Sequence, residues 1–338
     1  MSIKSENSPS TIISLSDVEK ARDRIRNHVF KTPFYLNLHL SQRFGADVFL
    51  KLECYQPTAV FKIRGAFNIE LENLSSFKKM GVVTASSGNH GLSVAYAAKT
   101  LGVDCLVVVT KGANPDKVKM IKLFGARVIE DGPTSDSIIS KAREISKESG
   151  RFFIHPFDDP SIIAGQGTCG LEMLEERKDL DTVIVPVGGG GLISGISTAI
   201  KETLPYCKVI GVEATGVPSL YESIKRKGLF TVKEPKTIAD GLLGQTIGKI
   251  NFEICKKYVS DVVLVSDESM KDAVRSLLFD SHILAEPSGA SPVAALLSGA
   301  YKPKPGEKMG LVISGGNIAY TLLQDLLNET YPNRRLHT

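Results

Sequence analysis

A side chain that adds to a carbonyl group needs a neutral amine. Lysine supplies one only where its surroundings disfavour the ammonium. Lys62 is placed for this: it follows Gln56-Pro57-Thr58-Ala59-Val60, where a proline turn gives way to a helical pattern, and the apolar Phe61 and Ile63 flank it. Such neighbours strip water from the charge and leave a nucleophile near neutral pH, which is what Schiff-base chemistry requires. Taken alone, the stretch also describes a surface lysine on the first turn of a helix, so this reading needs independent support.

Gly188, Gly189, Gly190 and Gly191, followed by Leu192, offer a second kind of chemistry. They lie between an apolar run at 183–187 and a helical pattern at 192–203. Glycines let backbone N–H groups approach an anion, and the helix that follows presents its positive end. A plain strand-to-helix turn does not need four glycines, which cost chain entropy. A dinucleotide site would use G-x-G-x-x-G, with an acid such as Glu213 ending the next strand. That pattern fails here at Ile193 or Ser194. The run reads as a cup for a single phosphate.

Two further stretches carry polar residues at strand ends. Ser86-Ser87-Gly88-Asn89-His90-Gly91 follows the short apolar strand 82–85, and Ser87 and Asn89 both suit a helix N-cap. A helix N-terminus also attracts a carboxylate. His90 reads as a packed or hydrogen-bonded histidine more than as a base. Ser314-Gly315-Gly316-Asn317 follows the apolar 311–313 and by itself could be a turn.

In this order the four stretches resemble the fold-type II pyridoxal-phosphate (PLP) enzymes, and within them the serine/threonine dehydratase and serine racemase family. The similarity runs from about Thr32 to about Leu326. It implies a two-domain α/β fold like that of the tryptophan synthase β chain, with parallel-rich twisted sheets flanked by helices. A small domain at 75–158 would interrupt a large PLP-binding domain made of 1–74 and 159–338. The resemblance places PLP on Lys62 as a Schiff base beside Phe61, its phosphate on Gly188, Gly189, Gly190, Gly191 and Leu192, and its ring oxygen on Asn89. Ser314 would face the pyridine nitrogen. A neutral serine leaves that ring a weaker electron sink than an aspartate would, which suits rapid β-elimination. Ser86, Ser87, Asn89 and His90 would hold the substrate. In racemases of the family, Ser87 is also a second base opposite Lys62.

Within the family, His155-Pro156-Phe157-Asp158-Asp159-Pro160 followed by Ile163-Ala164-Gly165-Gln166-Gly167-Thr168 looks most like threonine dehydratases. The expected activity is L-threonine/L-serine ammonia-lyase, with serine racemase or threo-3-hydroxyaspartate dehydratase as the alternative. A PLP-binding regulatory protein without turnover is the reading from another class. Three departures stand out. Ala59-Val60 replaces the usual Gly-Ser, Ile318-Ala319 follows where many relatives carry an acid, and Glu213 lacks the acidic partner that completes a cation site in some relatives. Its place is taken near Ser219, and one carboxylate makes a poor magnesium or calcium site, so no metal is expected.

The elements that must position these residues alternate between strand and helix. Strands are predicted at 48–53, 82–85, 105–109, 127–129, 152–154, 183–187, 209–212, 262–265 and 310–313. Helices are predicted at 17–27, 41–44, 62–74, 92–101, 117–124, 135–149, 162–176, 192–203, 268–279 and 292–297. Such repeats imply right-handed crossovers and parallel sheets covered on both faces. The 338 residues suffice for two domains, and 42% hydrophobic with 23% charged is ordinary globular composition. A net charge of +4, scattered among acids, implies neither nucleic acid nor membrane. Five dispersed cysteines without a C-x-x-C pair argue for a reducing compartment. The sequence is polar as far as Ile12 and has no apolar leader core, so the cytoplasm is the expectation. The family resemblance implies a homodimer or higher homo-oligomer.

Overall fold

The computed structural model describes residues 12–329, so the polar stretch before Ile12 lies outside them. Six strands form one sheet in the order β1-β2-β10-β7-β8-β9: β1 Phe34–Leu36, β2 Asp47–Leu52, β7 Thr182–Pro186, β8 Lys208–Ala214, β9 Asp261–Val265 and β10 Lys308–Ile313. The other four form a second sheet, β5-β4-β3-β6: β3 Val82–Ala85, β4 Cys105–Val109, β5 Arg127–Glu130 and β6 Phe152–Ile154. The ladders are parallel except at the edge, where β1 runs antiparallel to β2. Both faces of the larger sheet are buried, with alternate residues of each strand feeding opposite cores. Ile184, Ile210, Val212 and Leu311 face one side, and Val183, Val185, Val209 and Val312 the other.

The predicted strand at 48–53 is β2, and it is buried on both faces. Val48, Phe49, Leu50, Lys51 and Leu52 are all enclosed, because β1 and β10 flank the strand and helices cover it. Lys51 is held in the core by Glu172, with Nζ 2.6 Å from Oε2. The first helix is Leu15–Ile25, two residues earlier than the pattern indicates. Its N-cap is Ser14, which accepts from Asp17 N while the Asp17 carboxylate accepts from Ser14 N at 2.9 Å. Short elements escaped the sequence pattern: β1 and the helices Lys249–Tyr258 and Tyr320–Asn328, whereas the basic cluster Lys225-Arg226-Lys227, which reads as a helix end, does end the helix Ser219–Arg226. Lys249–Tyr258 is capped from afar by Asp158, whose carboxylate accepts from Lys249 N and Ile250 N at 3.0 Å each.

The helix Lys62–Glu72 lies between the two sheets and packs on Asn89–Leu101 and Pro160–Glu176. Its crossing with the latter is backbone on backbone. A Cβ on Gly165 would stand 2.6 Å from Gly65 Cα, so only glycine allows the approach. Ile63, Ala66, Phe67 and Ile162 join Val94, Val107 and Ile121 in one core. Side-chain packing therefore crosses both ends of the 75–158 segment that carries the four-stranded sheet.

Candidate active site

Lys62 is the first residue of its helix, and Phe61 is the N-cap. The stretch before it is laced to the distant 314–317 stretch as a short ribbon. Phe61 N donates to Ser314 O at 3.0 Å, Gly316 N donates to Ala59 O at 2.8 Å, and Val60 bridges Gly315. Lys62 Nζ donates to Pro156 O at 2.7 Å and lies 5.3 Å from the Phe61 ring centroid. No carboxylate pairs with it among the described residues. Burial lowers its pKa from 10.5 to about 8, so a fraction of the amine is neutral at pH 7. A surface lysine would show neither feature.

The four glycines join β7 to the helix Gly191–Thr203, and Gly190 adopts φ +94°. Their Cβ positions are already taken by protein: 2.3 Å from the Phe157 ring for Gly189 and 2.3 Å from Ile247 Cδ1 for Gly190. Packing thus demands the glycines independently of any ligand. Among the described residues, none of the N–H groups of Gly188, Gly189, Gly190, Gly191 and Leu192 has a protein acceptor. Asn251 Nδ2 pins the loop from outside, donating to Gly189 O at 2.9 Å and Phe157 O at 3.0 Å. The segment His155-Pro156-Phe157-Asp158-Asp159 reaches every part of this wall. Pro156 O holds Lys62, Phe157 lies on Gly189, Asp158 caps Lys249–Tyr258, and Asp159 caps Pro160–Glu176.

The other turn precedes the helix Asn89–Leu101, which begins three residues before the predicted position. Ser86 Oγ accepts from Gly88 N at 3.2 Å. Ser87 Oγ sits on Thr110, 2.9 Å from its Oγ1 and accepting from its N–H at 2.8 Å. Asn89 Nδ2 donates to Glu286 Oε1 at 2.7 Å. His90 is buried, and neither ring nitrogen has a partner among the described residues. Burial, with Lys62 and His155 nearby, pushes its pKa well below the ordinary imidazole value. It is neutral at pH 7. Ser314 is buried at the end of β10, and its hydroxyl has no protein partner among the described residues.

These features are compatible with the cofactor that the sequence resemblance implies. Five open amides suit a phosphate, a desolvated lysine suits an aldehyde, and a free hydroxyl suits a ring nitrogen. The family described as "Pyridoxal-phosphate dependent enzyme" matches residues 25–315. The chain belongs to this pyridoxal-phosphate-dependent family. It is 40% identical over 318 residues to an L-threonine ammonia-lyase of Thermotoga maritima, covering 94% of this chain and 79% of that protein. The solved structure of a T.th. threonine deaminase is 38% identical with a TM-score of 0.85, covering 91% of this chain and 99% of that one. Maize serine racemase is 33% identical with a TM-score of 0.89, covering 94% and 97%. PLP is therefore the cofactor of this chain.

Two departures from the family pattern now have a physical form. Ala59 stands at φ +53°, in the left-handed region that the usual glycine adopts without strain. We expect Ala59→Gly to stabilise the protein by up to about 1 kcal/mol, less the glycine's added freedom in the unfolded chain. A rise in the denaturation midpoint would show it, and a fall would mean the methyl packs usefully. The second departure is Glu213. Its carboxylate accepts from Leu220 N and Tyr221 N at 2.8 Å each and from Ser219 Oγ at 3.1 Å, against burial that raises its pKa to about 7. It caps the helix Ser219–Arg226. No group of three or more candidate metal ligands lies among the described residues. Activity is expected to survive exhaustive chelation, whereas a large loss restored by magnesium or calcium would contradict this role.

Sequence reasoning overlooked Glu286, Asn251 and Arg64. Glu286 and Asn251 stand outside the four motifs. Arg64 lies within the lysine stretch, and nothing local marks it as buried.

Proposed function

We propose that the chain is an L-threonine/L-serine ammonia-lyase, converting the hydroxy-amino acid to 2-oxobutanoate or pyruvate and ammonia. The observation that carries the reading is the enclosed amine of Lys62, free of any carboxylate and joined through Pro156 and Phe157 to a loop of open amides. The relatives named for threonine supply the substrate class.

Bound PLP supplies an electron sink for the α-carbon. The rest falls to the protein. Lys62 would hold the cofactor, and its Nζ is the group placed to take the proton from substrate Cα. The amides of 188–192, at the start of Gly191–Thr203, would bind the phosphate, with Leu192 and Phe61 beside the cofactor. Asn89 would offer an N–H to the ring oxygen, and Ser314 would offer its hydroxyl to the ring nitrogen without forcing a proton onto it. Ser86, Ser87 and the turn amides receive the substrate carboxylate at the positive end of Asn89–Leu101, with His90 as neutral wall.

Serine racemase activity is the second reading, favoured by the likeness to the maize enzyme. There Ser87 would have to leave Thr110 to act as a base. We also propose that 75–158 is the small domain, with 1–74 and 159–338 the large one, and that the protein is a cytoplasmic homo-oligomer. No helix of the described residues is long and apolar enough to cross a membrane.

Incubation with L-Thr, L-Ser, D-Ser and threo-3-hydroxyaspartate, with keto acid and enantiomer analysis, tests the activity. The L-substrates are expected to give keto acid as main product. Borohydride reduction of the holoenzyme followed by peptide mass spectrometry is expected to leave the cofactor on Lys62. An adduct on another lysine would sink the site.

A further inference from the structure

Asn317 belongs to one of the four motifs, yet the reaction gives it no work. Its side chain begins a chain of hydrogen bonds whose polarity is set at one end. Asn317 Nδ2 lies 2.9 Å from Thr58 O. A backbone carbonyl only accepts, so the Asn317 amino group must face it. The same Nδ2 lies 2.9 Å from the Asn89 side chain and therefore donates to Oδ1. That leaves Asn89 Nδ2 toward Glu286 Oε1, 2.7 Å away. Each link dictates the next, and Thr58 decides the whole order.

Glu286 closes the chain. It is the N-cap of Pro287–Leu297, but its carboxylate caps nothing. Its backbone N–H donates to Gly315 O at 3.0 Å, and a Cβ on Gly315 would stand 2.7 Å from Oε1. The carboxylate therefore lies against the motif that carries Ser314. Its Oε2 is buried with no partner among the described residues.

We propose that Asn317 and Glu286 are positioning residues that fix the orientation of the Asn89 carboxamide, so that an N–H rather than a C=O faces the cofactor. This rests on the reading that Asn89 meets the ring oxygen of PLP. One Asn89 Nδ2 hydrogen goes to Glu286, and the other has no protein acceptor among the described residues. Were the amide turned over, Oδ1 would face an electron-rich ring oxygen while the Asn89 amino group met that of Asn317, acceptor against acceptor and donor against donor.

The test uses the holoenzyme and follows the visible absorption spectrum of bound PLP, its pH midpoint and the PLP dissociation constant. Asn317→Asp keeps the shape but replaces the donor by acceptors. It is expected to shift the band and its pH midpoint and to weaken PLP retention by roughly tenfold, the loss of one hydrogen bond to a charged group. Glu286→Gln can still accept from Asn89 and is expected to keep the spectrum, whereas Glu286→Leu cannot and is expected to behave as Asn317→Asp. Asn317→Ala serves if the aspartate variant does not fold. Asn89→Ala separates the two ideas. If it shifts the spectrum while Asn317→Asp and Glu286→Leu do not, the positioning role is overturned and the Asn89 contact stands. If Asn89→Ala changes nothing, the contact itself is wrong and the positioning role falls with it.

Discussion

Lys62→Ala is expected to abolish turnover, by a factor on the order of 10³ or more, because in the proposed reaction one side chain is both anchor and base. The fold should survive, and PLP should still bind weakly through the amides at 188–192. The apoprotein carries a second signature. Lys62 has a folded pKa of about 8 against 10.5 for a free lysine, because burial penalises the ammonium. A lowered lysine pKa is a cost to the fold. The cost is fully present below about pH 8 and fades as pH rises toward 10.5. The apo variant is therefore expected to be more stable than the apo wild type at pH 7, with the gap narrowing above pH 8. Reaction of the wild-type apoprotein with PLP should quicken with pH and level off above about 8. Near-normal turnover by Lys62→Ala would mean that its amine is neither anchor nor base. Equal stability at every pH would mean that the amine is not desolvated.

The second large effect is expected two residues on. Arg64→Leu should destabilise the protein by about 3–5 kcal/mol, read from denaturation midpoints. Arg64 is fully buried. Its guanidinium grips two carboxylates bidentately, Glu53 at 2.7 Å through Nε and Nη2, and Glu172 at 2.7 and 2.8 Å through Nη1 and Nη2. Lys51 adds a second cation on Glu172, and Thr32 Oγ1 donates to Glu53 at 2.6 Å. Two cations and two anions balance. Removing Arg64 leaves two buried carboxylates against one ammonium. Burial pushes the Glu53 carboxyl up, but Arg64 outweighs it and holds the group below the ordinary value. A depressed carboxyl stabilises above its unfolded pKa and loses that contribution as pH falls, so the gap between wild type and variant should shrink in acid. The cluster ties β2 to Lys62–Glu72 and Pro160–Glu176, the helix that begins with Lys62 and the one packed on it. Arg64→Lys is expected to recover only part of the loss, because an ammonium cannot span both carboxylates. A fully stable Arg64→Leu would mean that the carboxylates find other partners or protons at no cost.

The expected helix and strand series was legible because a strand buried on both faces must be apolar throughout and a covering helix must keep a 3.6-residue stripe. Elements too short for a period, such as β1, were not. Nor was Lys249–Tyr258, which takes its cap from Asp158 far away in sequence. The start of Asn89–Leu101 was missed because Gly88 and Gly91 read as breakers, although Gly91 fits inside the helix.

For the site, residue types and order were enough to choose the chemistry. A lysine between apolar neighbours, a four-glycine run after a strand, and two polar turns at strand ends each allow a plainer reading, and it is their order, resembling pyridoxal-phosphate enzymes, that implies the cofactor. Those properties are local, set by side-chain chemistry and backbone freedom. Whether the Lys62 amine is enclosed, which donor faces which acceptor around Asn89, and how Arg64 balances Glu53 and Glu172 depend on groups far apart in sequence. Burial and hydrogen-bond polarity are properties of the assembled surroundings, so only the tertiary structure decided them.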